Sequence, residues 1–138
     1  MMTRSSMRIG FSLVEIMIVL TIIGLIFGFL VTNIPKQLEK GKKNATTATL
    51  KVLEQNIEEF YNDTGHYPEK LEDLVKKPSN PELAEKWDGN YLKTKNVPKD
   101  GWGNSFQYKL TADDQEHPYE LYSKGSKKTK GPISVWDL

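Results

Sequence analysis

The sequence predicts an α+β fold: a long N-terminal helix packed on a small antiparallel sheet of about three strands. Three observations carry this expectation. The 21 residues from Phe11 to Val31 are apolar except for Ser12, Glu15 and Thr21. The stretch from Ala45 to Tyr61 is amphipathic with helical spacing. Further on, Phe106, Tyr108 and Leu110 alternate with polar residues, and Tyr119 to Ser123 return beyond an Asp113–Asp114 turn.

The apolar run is long enough to cross a bilayer once. At about 1.5 Å per residue it makes about 31 Å of helix, against an apolar thickness of about 30 Å. Glu15 sits five residues into it, where an acid costs about 3 kcal/mol in lipid and marks a site that meets a partner. A plain anchor with Glu15 snorkelling to the head groups is the alternative. Before the run stand Gly10 and a polar leader, Met1 to Ile9, with Arg4 and Arg8. A secretory signal is cut after its apolar stretch at a small-x-small site, and Leu30 to Asn33 offer none. A cut between Gly10 and Phe11 leaves the apolar run on the mature chain. Positive charge stays cytoplasmic, so the soluble part is expected on the far side.

Composition bounds the rest. The chain of 138 residues leaves about a hundred for one small domain after the span. The net charge of +1 gives no general bias toward nucleic acid, and loss of Arg4 and Arg8 with the leader brings it to −1. There is no cysteine, so an exported domain must hold together by packing alone. The expected divisions are a leader at 1–10, a membrane helix at 11–34, its amphipathic continuation at 35–64 and a small domain at 65–138.

Within the span, Gly24 and Gly28 form a Gly-x-x-x-Gly pair of the kind that lets helices approach closely in lipid. Pro35 lacks a backbone donor and is expected to kink or locally unwind the helix. The charged Lys36–Lys43 segment then crosses the head-group region, its lysines within reach of anionic lipid or simply solvated. Leu50, Leu53, Ile57, Phe60 and Tyr61 form the buried stripe. Gly65 supplies a left-handed cap. Leu71, Leu74 and Val75 give a short second helix ending near Pro78, and Glu82–Lys86 one more helical turn. Asp100, Trp102, Gly103 and Asn104 form a tight turn anchored by a buried Trp102. His66 reads as a surface turn residue, and Asp113, Asp114, Glu116 and His117 lack metal-ligand spacing. No Ser/His/Asp set, catalytic acid pair or phosphate-cradling loop is present, so an enzyme is not expected.

The string Gly10-Phe11-Ser12-Leu13-Val14-Glu15 before an apolar helix resembles the class III leader of type IV pilins and pseudopilins. The resemblance implies cleavage after Gly10 by a prepilin peptidase, methylation of the new Phe11 amine and assembly into a helical filament. It gives Glu15 the N-terminal amine of a neighbouring subunit as partner. It also places a proline near Pro35 at the border of a segment that loses helicity in the filament. Further along, Asn62-Asp63-Thr64-Gly65-His66-Tyr67-Pro68 and Leu71-Glu72-Asp73-Leu74 are similar to the major pseudopilins of type II secretion systems. So is Val97-Pro98-Lys99-Asp100-Gly101-Trp102-Gly103-Asn104, except at Gly101, where proline is usual; Gly101 is expected to loosen the turn.

The pilin-like function implied is structural. Subunits held in the bacterial inner membrane are stacked into a periplasmic pseudopilus that drives folded proteins out of the cell. The partners implied are further copies of the chain, minor pseudopilins, an inner-membrane assembly platform, the prepilin peptidase and the membrane, with no nucleic acid. A type IV pilin or minor pilin, and a tethered periplasmic binding module, are the alternatives. The resemblance also implies a C-terminal loop that binds calcium through aspartates. Tyr119-Glu120-Leu121-Tyr122-Ser123-Lys124-Gly125 keeps the framework, but Lys127, Lys128 and Lys130 stand where carboxylates belong, and only Asp137 remains as a calcium candidate. Calcium wants six to eight oxygens with carboxylate charge, so no cofactor is expected and the loop should be ordered without metal.

Overall fold

The computed structural model describes residues 10–111 and 113–138. The leader residues 1–9, with Arg4 and Arg8, and Ala112 lie outside the described residues. Helix α1 spans Leu13–Thr64. A 3-10 turn follows at Leu71–Leu74, then a short helix α2 at Pro81–Lys86. Strands β1 (Gln107–Leu110), β2 (Tyr119–Ser123) and β3 (Ile133–Ser134) form one antiparallel sheet in that order. A last 3-10 turn covers Val135–Asp137. The chain divides into two compact units, one up to Leu38 and the other Glu39–Leu138.

Ser12 starts α1. Its side-chain oxygen accepts the Glu15 amide at 3.2 Å, satisfying one of the free donors of the first turn. The helix then continues through Pro35 without interruption, correcting the expectation of local unwinding. Proline removes one hydrogen bond, and flanking turns already formed hold the next residues helical, because propagation is far easier than nucleation. At the other end Gly65 takes φ +77° and donates its amide to the Tyr61 carbonyl at 2.7 Å, closing the helix with a left-handed residue.

In the second unit, α1 is the spine of the core. Leu50, Leu53, Ile57 and Phe60 are completely buried, and Thr46 and Thr64 extend the same stripe by one turn each way. Both threonines are tolerable there because each hydroxyl bonds the carbonyl four residues back, at 2.8 Å. Tyr61 departs from the expected stripe. It is exposed, and its ring stacks on Tyr67 at 4.4 Å between centroids. The remaining core comes from Leu71, Leu74, Val75, Leu83, Leu92, Phe106, Tyr119, Leu121, Ile133 and Val135.

The second helix of the sequence reading proves to be a single 3-10 turn. The Leu74 carbonyl accepts the amides of both Tyr91 and Leu92, at 2.9 and 3.2 Å, so it is not available to extend a helix. Buried Asp73 holds the turn's entry, its Oδ2 accepting the Glu69 and Lys70 amides at 3.1 and 3.2 Å. Helix α2 occurs where expected, capped by the Asn80 side chain on the Glu82 amide.

The strand register pairs Tyr108 with Leu121 and Leu110 with Tyr119, and β3 adds Ser134 opposite Tyr122. Alternation holds well on β2, where Tyr119, Leu121 and Ser123 are buried. It fades on β1: Phe106 is buried and Tyr108 half-buried, whereas Leu110 is 38 % exposed instead of inward-packed. Leu110 lines an open groove of about 700 Å³ with Tyr61, His66 and Tyr67, so no side chain fills the space over it. The β1–β2 connection is organised by Asp114, whose Oδ1 accepts the Glu116 and His117 amides. Tyr119 is the centre of an aromatic cluster with Tyr67, Tyr108 and Trp136, at centroid distances of 5.4, 5.7 and 5.1 Å. The Trp136 indole donates to the Tyr119 carbonyl at 2.8 Å and so pins the C-terminal turn to the middle strand.

Two outcomes follow from this core. The Tyr119 hydroxyl is buried without a hydrogen-bond partner among the described residues. Removing an unpaired polar group relieves a desolvation penalty of about 1–3 kcal/mol, so Tyr119→Phe is expected to leave the melting temperature unchanged or raise it. A clear drop would reveal a partner for the hydroxyl. Burial raises the Asp73 carboxyl above its ordinary 3.8, opposed by its amide hydrogen bonds. Its stabilising contribution is therefore present below pH 3.8 and lost as pH rises through the raised folded value. Melting temperatures of wild type and Asp73→Asn, compared between about pH 3.5 and 6, should show the asparagine variant gaining on the wild type as pH rises.

Candidate assembly surface

The N-terminal site is a short non-helical segment leading into an uncovered helix. Gly10, Phe11 and Ser12 precede the first helical residue, and Phe11 is 78 % exposed. The bond between Gly10 and Phe11 thus lies outside the helical hydrogen-bond ladder. Glu15 falls in the first turn, its own amide capped by the Ser12 side chain, where the positive end of the helix dipole favours an acid. The Ser-x-x-Glu spacing that announces this cap was present in the sequence and was passed over there.

From Leu13 to Leu38 the large apolar side chains are exposed. This part of α1 is long and apolar enough to cross a membrane, and none of its most apolar window is buried. Gly24 and Gly28 lie four residues apart, and a Cβ built on either meets nothing within 4 Å. Thr32 and Asn33 turn their side chains back onto the Gly28 and Phe29 carbonyls, just ahead of Pro35. An uncovered apolar surface of this extent calls for lipid or for other helices.

The second group of sequence-selected residues, Asp100 to Asn104, forms a turn that carries no chemistry but organises the domain. Asp100 is buried, and its Oδ1 accepts the Trp102 and Asn104 amides at 3.0 and 2.8 Å. Its Oδ2 accepts the buried Ser123 hydroxyl of β2 at 2.6 Å. The Asp100 amide donates to the Asn104 carbonyl at 2.8 Å, and Gly103 takes φ +84°. Asp100, not Trp102, is therefore the anchor. Trp102 is only half-buried, because its indole N–H reaches for an acceptor at the surface, Glu39 Oε2 at 3.2 Å.

Gly101 tightens this arrangement. Its amide donates to the Thr46 hydroxyl at 2.9 Å, and a Cβ there would overlap the Lys42 carbonyl of α1. Two residues act here that sequence reasoning missed. Thr46 was legible as the position one turn before Leu50; Glu39, distant in sequence from its partners, carried no signal.

In the C-terminal loop, Gly125 has φ +69° and Ser126 and Thr129 close a turn through their hydroxyls. Among the described residues no three His, Cys, Asp or Glu side chains come together as metal ligands. The buried Asp100 carboxylate nearest in the hydrogen-bond network is already committed, Lys127, Lys128 and Lys130 are exposed, and Asp137 is exposed in the last 3-10 turn.

Comparison with known proteins decides the family. The family model described as type II secretion system (T2SS), protein G matches residues 33–134. This chain belongs to that family. Type II secretion system core protein G of Vibrio cholerae is 35% identical over 152 residues, covering 99% of this chain and 97% of the relative. The Escherichia coli K12 protein of the same name is 35% identical over 138 residues, covering 94% and 91%. That of Xanthomonas campestris is 33% identical over 135 residues, covering 96% and 90%. In fold, the chain is similar to the crystal structure of the major pseudopilin from the type 2 secretion system of enterohaemorrhagic Escherichia coli. The TM-score is 0.56 at 23% identity, over 77% of this chain and 96% of that one. Membership in the protein G family makes the chain a structural, membrane-anchored component of a secretion system and not an enzyme.

Because the Gly101 turn is backed by the α1 backbone, Gly101→Ala is expected to destabilise the full chain in detergent by about 1–3 kcal/mol. Gly101→Pro, which also removes the donor to Thr46, should cost more. Thermal unfolding followed by tryptophan fluorescence measures both, and an unchanged proline variant would show the contact with Lys42 to be slack.

Proposed function

We propose that this chain is the repeating subunit of a type II secretion pseudopilus, processed between Gly10 and Phe11 and assembled through its uncovered apolar helix. The observation that carries the proposal is the coincidence, within the six residues from Gly10 to Glu15, of an exposed non-helical junction, a capped helix start and an acid in the first turn. Cleavage there produces an amine on Phe11, with N-methylation to follow. The charge of that amine and of Glu15 must be met within an apolar bundle. Each loses hydration on entering it, and pairing between neighbouring subunits offsets part of the loss.

The leader arginines hold the N-terminus in the cytoplasm, and the sheet-bearing unit lies in the periplasm. Before assembly the helix is covered by inner-membrane lipid. In the filament it is covered by the helices of other copies, with Gly24 and Gly28 as points of close approach. Transfer between these two apolar surroundings avoids exposing the run to water, which at about 25 cal/mol per Å² forbids any long-lived bare intermediate. The assembly platform, minor pseudopilins and prepilin peptidase are the partners this cycle requires. A growing filament then pushes folded cargo toward the outer membrane.

Glu15→Gln tests the reading. An unpaired buried amine costs about 3–5 kcal/mol per subunit contact, so filaments and exoprotein release should fall at least tenfold while subunit levels in the membrane persist. Mass spectrometry of the mature subunit should find methylated Phe11 at its N-terminus. Normal secretion by the variant, or an intact leader on the wild type, would overturn the proposal.

A further inference from the structure

One side chain of α1 reaches the loop that separates β2 from β3. Glu39 is half-buried, and its Oε2 accepts two hydrogen bonds. One comes from the Trp102 indole at 3.2 Å and the other from the Ser126 hydroxyl at 3.1 Å. The same Ser126 hydroxyl oxygen accepts the Lys128 amide at 3.2 Å, and the Ser126 amide donates to Thr129 Oγ1 at 2.9 Å. At the loop's start the Gly125 amide donates to Ser123 Oγ, which in turn donates to Asp100. Two carboxylates, Glu39 and Asp100, thus gather α1, the Asp100–Asn104 turn and the C-terminal loop.

The charge around Glu39 points the same way. An open groove of about 490 Å³ beside it is lined by Lys40, Lys43, Lys128 and Lys130 together with Glu39. A lysine rim favours an anion at its centre and opposes a divalent cation. We propose that the Glu39 carboxylate orders the C-terminal loop by binding Trp102 and Ser126 together, so that the loop folds without a divalent metal. The inference concerns loop order within one chain, so its failure leaves the secretion role untouched.

Hydrogen–deuterium exchange of the full chain in detergent, read on peptides covering 124–131, tests it. Wild-type exchange in the loop, and the melting temperature, should be the same in EDTA and in millimolar calcium. Glu39→Ala should raise loop exchange about tenfold, the scale of charge-assisted hydrogen bonds at a half-exposed site, with β1 and β2 little changed. Calcium should not restore protection. Glu39→Gln, which keeps an acceptor oxygen and loses the charge, should fall between. If Glu39→Ala fails to fold, Ser126→Ala alone decides, with the same rise expected in the loop. A chelator-induced rise in wild-type loop exchange, or loop exchange unaltered by removal of the Glu39 carboxylate or the Ser126 hydroxyl, overturns the proposal.

Discussion

Everything in the second unit depends on one stripe of α1 being taken completely out of water. Leu50, Leu53, Ile57 and Phe60 have no exposed surface, and each fully buried side chain of this size contributes about 1.5–3 kcal/mol. With no cysteine in the chain, no covalent link shares the task. About seventy-five residues after the helix must therefore cover the stripe. Among the described residues they do so with few regular elements: two single turns, one short helix and three short strands. Most of this covering chain is irregular, so its backbone polar groups need partners other than a helix or sheet ladder.

Those partners are short polar side chains placed at chain crossings. Asp73 takes the amides leading into the 3-10 turn, Asp100 those of its own turn, and Asp114 those of the hairpin loop. Asp100 does more, since its second oxygen takes the Ser123 hydroxyl and ties the turn to the middle strand. The aromatic side chains work similarly at longer range. Tyr108 donates to the Pro68 carbonyl at 2.6 Å, Trp87 to the Asp73 carbonyl at 2.9 Å and Trp136 to the Tyr119 carbonyl. Each supplies apolar area to the core and a donor to a carbonyl that no ladder serves.

The other part of α1 obeys the opposite rule. Up to Leu38 its apolar side chains are uncovered in the single chain, and Thr21, Thr32 and Asn33 bond backwards to carbonyls of their own helix. Such a surface has no stable condition in water. Membership in the protein G family puts this surface on a membrane-anchored component of a secretion system.

The sequence by itself determined whatever depends on local order and periodicity. The apolar run, the stripe from Leu50 to Phe60, the left-handed Gly65 and the β2 alternation could all be read because neighbours in sequence share one helix face or one sheet face. Tertiary structure alone decided what depends on segments meeting. Whether Trp102 or Asp100 anchors the turn rested on Glu39 lying within reach of the indole, 63 residues away in sequence. The need for glycine at 101 came from the Lys42 backbone behind it, and the exposure of Leu110 from an unfilled groove. Propensity sees only the residue and its near neighbours, whereas these outcomes were set by the side chains and carbonyls that the fold brings alongside.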